Sequence, residues 1–268
     1  NQSTPSATIT WDSFSIGSGK TVNFIQPSSS SVALNKVLGS NPSHIFGTLN
    51  ANGHVFLSNP NGILFSPTAS VSTGGLIATT LNMIESDFTA NKFRFAGEST
   101  NTVNNQGKIT TSAGGVALVA AKIYNSGTIT ANNESVLMGV GSDVTVDFGD
   151  TYKIQVNKGV AESIIDNSGS IVADGGLVYL TSQSSDDIRS SAINNSGLIQ
   201  AQTLKTGEDG AIYLMGHMGK GTLAVGGTID ASAPNGGDGG FVETSASDVN
   251  FMDSFLVNTV SAYGATGN

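Results

Sequence analysis

Residues 125–129 read NSGTI, and this short pattern decides the fold because it returns along the chain. Related copies are NQGKI at 105–109, NSGSI at 167–171 and NSGLI at 195–199, with a weaker GGTI at 226–229. Their glycines step by 20, 42, 28 and 30 residues. Repeats with periods of about 20 to 50 residues are the signature of solenoid and propeller folds. We therefore predict a repeat architecture in which the step of 42 spans two units.

Each unit contains two short strands separated by turns. A β-branched run such as Thr128-Ile129-Thr130 follows Asn-x-Gly, and an apolar run such as VALV at 116–119 follows a second turn, often Gly-Gly. Short β-branched runs bounded by Asn, Gly and Ser are typical of strands. Asn and Gly also accept positive φ, which we expect at the corners.

Helical periodicity is almost absent from the sequence. Residues 83–96 come closest, but Phe88, Phe93 and Phe95 fit alternation equally well. Strands without intervening helices at this period predict an all-β parallel β-helix, with Val, Ile and Leu inward and Ser, Thr and Asn outward. A sandwich of hairpins is the alternative, although the two-residue hairpin turns that it needs are scarce.

Composition excludes several classes of protein. The 268 residues include 34 glycines and no cysteine, so a disulfide scaffold, a thiolate zinc site and a cysteine nucleophile are ruled out. With 11 Lys and Arg against 20 Asp and Glu, we expect no nucleic-acid partner, because such binding needs a basic face. The longest apolar stretch, residues 114–121, is far shorter than the roughly 20 residues of a membrane-spanning helix, so no membrane span is expected.

Candidate catalytic and metal-binding residues are few. The three histidines, His44, His54 and His217, share no ligand spacing, so neither a metal nor a cofactor is expected. Residues 147–150 (DFGD) and 186–187 (DD) are candidates for paired carboxylates or a calcium site, as in polysaccharide-active β-helix enzymes. Because a lyase would need basic residues beside the acids and the chain has only two arginines, we assign no catalytic residue and expect a non-enzyme.

The N-terminal third departs from the repeat and contains the single tryptophan, Trp11. Its clearest local signal is NPNG at residues 59–62. Proline presets φ at the second position of a turn, Asn61 and Gly62 accept left-handed geometry, and Asn59 can bond its own downstream backbone. Taken alone, this motif predicts only a turn.

A longer stretch, NANGHVFLSNPNGI at 50–63, resembles the signature of two-partner-secretion exoproteins, the filamentous haemagglutinin-like and high-molecular-weight adhesins of Gram-negative bacteria. Supporting blocks are 9–17, 32–37 and 75–81, and the Asn-Ser-Gly-x-Ile coils also match. Four blocks in order are specific, and the resemblance covers essentially the whole chain. Many members carry an earlier NPNL motif where this chain has NPSH at 41–44, which places it nearer the high-molecular-weight branch.

The resemblance implies a right-handed parallel β-helix with an N-terminal β cap and one or more extra-helical hairpins or loops. It implies one secretion (TPS) domain over 1–268, with the cap and first coils in 1–80 and further coils in 81–268, interrupted by an insertion near 143–160. We expect this to be the N-terminal fragment of a longer exoprotein. The expected site residues are Asn59, Pro60, Asn61, Gly62 and Ile63 for transporter recognition, and Trp11, Phe14, Asn35 and Gly53 for the cap.

The implied function is secretion recognition. The partner is a TpsB-type outer-membrane transporter that acts in the periplasm through its POTRA domains, and the full-length protein meets host-surface or glycan receptors. The protein is expected to be secreted or held at the cell surface, and no signal peptide precedes Asn1. The absence of cysteine fits a chain that must stay unfolded in the oxidising periplasm. A polysaccharide-active or carbohydrate-binding β-helix protein remains the alternative.

Overall fold

A computed structural model of the chain describes residues 1–84, 92–147, 153–185, 191–204 and 210–268. These residues form 30 β-strands, numbered β1 to β30 in chain order, and contain no helix. The chain passes repeatedly through three long parallel sheets, here called sheets I, II and III, so that each circuit stacks on the previous one. The predicted parallel β-helix is confirmed, and the sandwich of hairpins is excluded.

The bounds of the strands follow, in spatial order. Sheet I contains β1 (Ser6–Trp11), β3 (Val32–Val37), β6 (His54–Ser58), β9 (Gly75–Thr79), β14 (Val116–Ala120), β17 (Val136–Val140), β22 (Leu177–Ser182), β25 (Ala211–Met215) and β28 (Phe241–Ser245). Sheet II contains β4 (Ser43–Ile45), β7 (Ile63–Phe65), β12 (Thr102–Asn105), β15 (Lys122–Asn125), β20 (Ser163–Asn167), β23 (Ser191–Asn195), β26 (Gly221–Val225) and β29 (Asp248–Phe251). Sheet III contains β2 (Thr21–Phe24), β5 (Thr48–Ala51), β8 (Ser70–Thr73), β13 (Lys108–Thr111), β16 (Thr128–Thr130), β21 (Ser170–Val172), β24 (Leu198–Gln200), β27 (Thr228–Asp230) and β30 (Leu256–Asn258). A four-stranded antiparallel sheet, here called the outer sheet, contains β10 (Asn82–Met83), β11 (Lys92–Ala96), β18 (Asp143–Asp147) and β19 (Lys153–Lys158).

The interior of the β-helix is a stack of aliphatic side chains in register. The Asn-x-Gly-x-Ile repeat places Ile109, Ile129, Ile171, Ile199 and Ile229 one above another in sheet III, and all are fully buried. Because strand side chains alternate between faces, the residues on either side of each isoleucine point outward. Each coil therefore buries its own rung of the core.

The glycines of the repeat serve a different purpose from the one expected. Within the described residues, Gly227 is the only repeat glycine with a positive φ, at +63°. A Cβ added to Gly169 would lie 2.2 Å from the carbonyl oxygen of Gly127, and one added to Gly197 would lie 2.1 Å from that of Gly169. The expectation of positive φ at these corners is therefore wrong. Glycine is required because the backbones of successive coils approach too closely for any side chain.

The outer sheet is the extra-helical element. Its hairpin strands leave the β-helix between sheet I and sheet II and cover the outward side of sheet I. There Phe93 and Phe95 of β11 pack in a second buried cluster with Phe56, Ile77 and Leu137. Because β14 and β17 are buried on both faces, they are apolar at almost every position rather than alternating.

Candidate functional site

The NPNG motif forms a tight turn at the corner between β6 and β7. The N–H of Gly62 donates to the carbonyl of Asn59 over 3.0 Å, and the side-chain Oδ1 of Asn59 accepts from the N–H of Asn61 over 3.0 Å. Gly62 has φ of +109°, a backbone conformation that favours glycine. The turn predicted from sequence is therefore present, and Ile63 directly after it enters the core.

The same turn is tied to the coil below it. The Asn59 Nδ2 group donates to the carbonyl of Asn41 over 3.0 Å and to Ser43 Oγ over 2.9 Å. Asn61 Nδ2 donates to the carbonyl of Gly39 over 2.7 Å. Both asparagine amides are thus used within the protein, and Asn59 is 0% exposed.

The turn is also tied to the coil above it. The carbonyl of Pro60 accepts hydrogen bonds from Ser99 Oγ over 2.6 Å and from Asn101 Nδ2 over 2.8 Å. The motif therefore joins three successive circuits of the chain, although Pro60 and Asn61 remain partly accessible to solvent. Its geometry makes it a structural clamp in the folded protein.

The four predicted cap residues lie in the first coils. The indole Nε1 of Trp11 donates to Asn35 Oδ1 over 3.0 Å, and its ring packs edge-on against Phe14 with centroids 5.4 Å apart. The buried Asn35 also donates to the carbonyls of Ala33 and Phe56. These contacts join β1, β3 and β6 across their parallel pairing.

Gly53 belongs to a second buried polar cluster, which sequence reasoning missed. The N–H of Gly53 donates to the side-chain Oε1 of Gln26 over 3.0 Å, and Gln26 Nε2 donates to the carbonyls of Ser31 and His54. Gln26 is 5% exposed. Sequence pattern alone offered no signal for it, because Gln26 lies beside a proline and a serine run that read as a loop.

The asparagines of the repeat form a buried column, here called the amide ladder (Asn105, Asn125, Asn167 and Asn195). Asn105 donates to Asn125, Asn125 to Asn167 and Asn167 to Asn195, over 2.8, 2.7 and 2.7 Å. Asn195 ends the ladder by donating to the carbonyl of Gly226. These side chains are at most 1% exposed. Their function is therefore internal, and the repeat spacing was the signal that located them.

The candidate acidic and histidine sites gain no support as a site. Residues 148–150 and 186–190 lie outside the described residues, so the proposed carboxylate pairs are not described beyond Asp147 at the end of β18. The histidines lie at separate places, and burial lowers the pKa of His54 below its ordinary value. Arg94 forms a bidentate ion pair with Asp143 that holds the pKa of that carboxyl below its ordinary range.

Two searches of the described chain concern metals and membranes. No group of three or more His, Cys, Asp or Glu side chains among the described residues is arranged to hold a metal ion. None of the helices searched there, within the same part of the chain, is long and apolar enough to cross a membrane.

A capped parallel β-helix with a clamped NPNG corner and an extra-helical sheet defines a class of exported solenoid domain. The chain matches the family model of the TPS secretion domain over residues 1–225, and it belongs to that family. The resemblance drawn from the motifs is thereby confirmed.

Relatives of known sequence are longer proteins. The chain is 36% identical over 184 residues to the heme/hemopexin-binding protein of Haemophilus influenzae strain Rd, a match that covers 65% of this chain and 20% of the relative. A second heme/hemopexin-binding protein of Haemophilus influenzae is 43% identical over 94 residues, which are 35% of this chain and 10% of that protein. The chain therefore spans about a fifth of the length of the first of these relatives.

Two solved structures share the fold. The HMW1 secretion domain of Haemophilus influenzae superposes with a TM-score of 0.65 at 24% identity, covering 94% of this chain and 76% of that one. The filamentous hemagglutinin secretion domain gives a TM-score of 0.59 at 16% identity, covering 96% and 90%. Proteins of this family are secreted exoproteins, and the comparisons imply a transporter partner of the TpsB type.

Proposed function

We propose that this domain is the segment of a longer exoprotein that a TpsB-type transporter recognises in the periplasm through its POTRA domains. We further propose that the domain starts the folding of the β-helix at the cell surface, where the protein stays attached or is released. In this proposal the domain carries out no catalytic step, and receptors of the host surface or of glycans are met by the rest of the exoprotein.

The observation that carries the proposal is the complete use of the Asn59 and Asn61 amides inside the folded domain. A partner cannot read a buried, fully bonded amide without breaking those bonds, at about 1 to 3 kcal/mol for each group left unpaired. Recognition of the motif therefore acts on the chain before it folds. An extended segment around residues 59–63 is suited to adding a strand to a sheet edge of the transporter.

After transport the same residues change function. The clamp joins positions only 16 to 41 residues apart along the chain, so its loops close at small entropic cost. With three circuits joined, later coils add one at a time to an existing sheet edge, as in other one-dimensional repeat proteins. Slow formation of parallel pairing leaves time for capture before that point.

The test measures binding of the chain to the purified periplasmic region of its transporter, using urea-unfolded chain diluted into the assay and fully folded chain in parallel. We expect the unfolded wild-type chain to bind and the folded chain to bind at least about tenfold more weakly, which is 1.4 kcal/mol. Asn59→Ala and Asn61→Ala should weaken binding of the unfolded chain. Asn104→Ala is the matched control, because Asn104 faces outward from β12.

The competing outcomes are separable. If unfolded Asn59→Ala binds as the wild type does while its folded form is destabilised, the motif is only a folding clamp and the recognition proposal is wrong. If the folded domain binds as tightly as the unfolded chain, recognition does not precede folding.

A further inference from the structure

Three Asn-Gly pairs occur in the sequence, at 52–53, 61–62 and 235–236. In such a pair the backbone nitrogen of the glycine can attack the side-chain carbonyl carbon of the asparagine, because no β-carbon shields that nitrogen. The reaction needs a free asparagine amide, a free glycine N–H and room for a five-membered ring. The fold treats the three pairs very differently.

The first two pairs are locked. Asn52 accepts from the N–H of Gln26 over 2.7 Å and donates to its carbonyl over 2.8 Å, while the N–H of Gly53 is bonded to the Gln26 side chain. In the second pair, Asn61 donates to Gly39 and the N–H of Gly62 donates to Asn59. Neither glycine nitrogen is free to attack.

The third pair is open. Asn235 is exposed in the loop between β27 and β28, and within the described part of the chain no hydrogen bond involves its side chain or the N–H of Gly236. Gly236 has φ of +129°, and a Cβ built there would meet nothing within 4 Å. The loop has both the freedom and the space that ring closure requires.

We infer that Asn235 is a site of spontaneous deamidation in the folded protein, whereas Asn52 and Asn61 are protected by the fold. Hydroxide removes the proton of the Gly236 N–H, and the nitrogen forms a bond to Cγ of Asn235. The Cγ–Nδ2 bond breaks and ammonia leaves, so a succinimide remains. Water then opens that ring at either carbonyl to give aspartate or isoaspartate.

The product has two measurable consequences. Replacement of a neutral amide by a carboxylate moves the formal net charge from −9 to −10. The new charge lies in a loop that already holds Asp238, whose Oδ1 accepts the N–H of Ala265 over 2.7 Å. The modification therefore marks one loop near the C-terminal end of the described coils and leaves the NPNG clamp intact.

The test incubates the folded chain at mildly alkaline pH, digests it, and follows each Asn-Gly peptide by mass spectrometry together with enzymatic detection of isoaspartate. We expect modification at Asn235 to be at least about tenfold faster than at Asn52 or Asn61, which corresponds to 1.4 kcal/mol of opening free energy. In concentrated urea the three rates should become similar. Asn235→Gln should remove the signal from that peptide, because its longer side chain closes a less favourable ring.

Two results would overturn the inference. One is an Asn235 that stays unmodified in the folded chain while it reacts in urea, because the loop would then be protected. The other is modification of Asn52 or Asn61 in the folded chain at the rate of Asn235, because the hydrogen bonds would then give no protection.

Discussion

Replacement of Asn125 by alanine removes an inner rung of the amide ladder. Asn125 accepts from Asn105 over 2.8 Å and donates to Asn167 over 2.7 Å, and all three side chains are buried. The truncation leaves a donor on Asn105 and an acceptor on Asn167 without partners. At about 1 to 3 kcal/mol for each buried unsatisfied group, the expected loss of unfolding free energy is about 3 kcal/mol.

That loss is a large fraction of the 5 to 15 kcal/mol typical of a domain, so urea unfolding followed by circular dichroism should detect it easily. With a slope of about 1 to 3 kcal/mol per molar urea, the midpoint should fall by roughly 1 to 2 M. The control Asn104→Ala changes the same residue type one position earlier in β12, on the outward face, and should stay within about 0.5 kcal/mol of the wild type. Equal midpoints for the two variants would refute the ladder as a source of stability.

Three further predictions concern packing and charge. Gly169→Ala places a Cβ 2.2 Å from the carbonyl oxygen of Gly127, so we expect a loss of at least about 2 kcal/mol, and a midpoint equal to that of the wild type would disprove the close-approach argument. Burial lowers the pKa of His54 below its model value of 6.5, so the folded state resists protonation and stability should fall as pH drops from about 6.5 toward the folded pKa; His54→Gln should flatten that part of the pH profile, and an unchanged profile would contradict it. Glu162→Gln breaks an exposed ion pair with Lys122, N to O distance 2.7 Å, and thermal unfolding should show a change below about 1 kcal/mol.

The repeat made the coil architecture predictable because each Asn-x-Gly-x-Ile copy has to repeat the same local geometry. Ile129 and Ile171 had to lie in register once the period was recognised, and the structure places them opposite each other. The function of the glycines was not predictable in the same way. A positive φ and a close approach of coils both require glycine, and only the stacking distance distinguishes them.

The outer sheet shows where sequence reasoning ends. Phe93 and Phe95 alternate as a strand should, but their partner strand β18 lies some 50 residues further along the chain, opposite Phe93 at Val146. Local propensity contains no information on such a pairing. The all-apolar runs of β14 and β17 were a signal of double-sided burial, and that signal could have indicated that something covers sheet I.

The candidate site was located by motif and corrected in meaning by geometry. The sequence placed Asn59 and Asn61 in a turn, yet it could not show that their amides reach the backbone of the preceding coil. Those contacts join residues 18 and 22 positions apart, which requires the stack to exist first. The motif is therefore a folding clamp in the folded domain, and its part in transporter recognition remains a proposal for the unfolded chain.

Co-expression tests the account most directly. The chain would be produced with a signal peptide in a Gram-negative host, with and without its partner transporter, and the amount in the culture medium would be measured. We predict release of folded chain only with the transporter, and a marked reduction for Asn59→Ala but not for Asn104→Ala. Equal release without the transporter would contradict the assignment of this domain as a secretion-recognition segment.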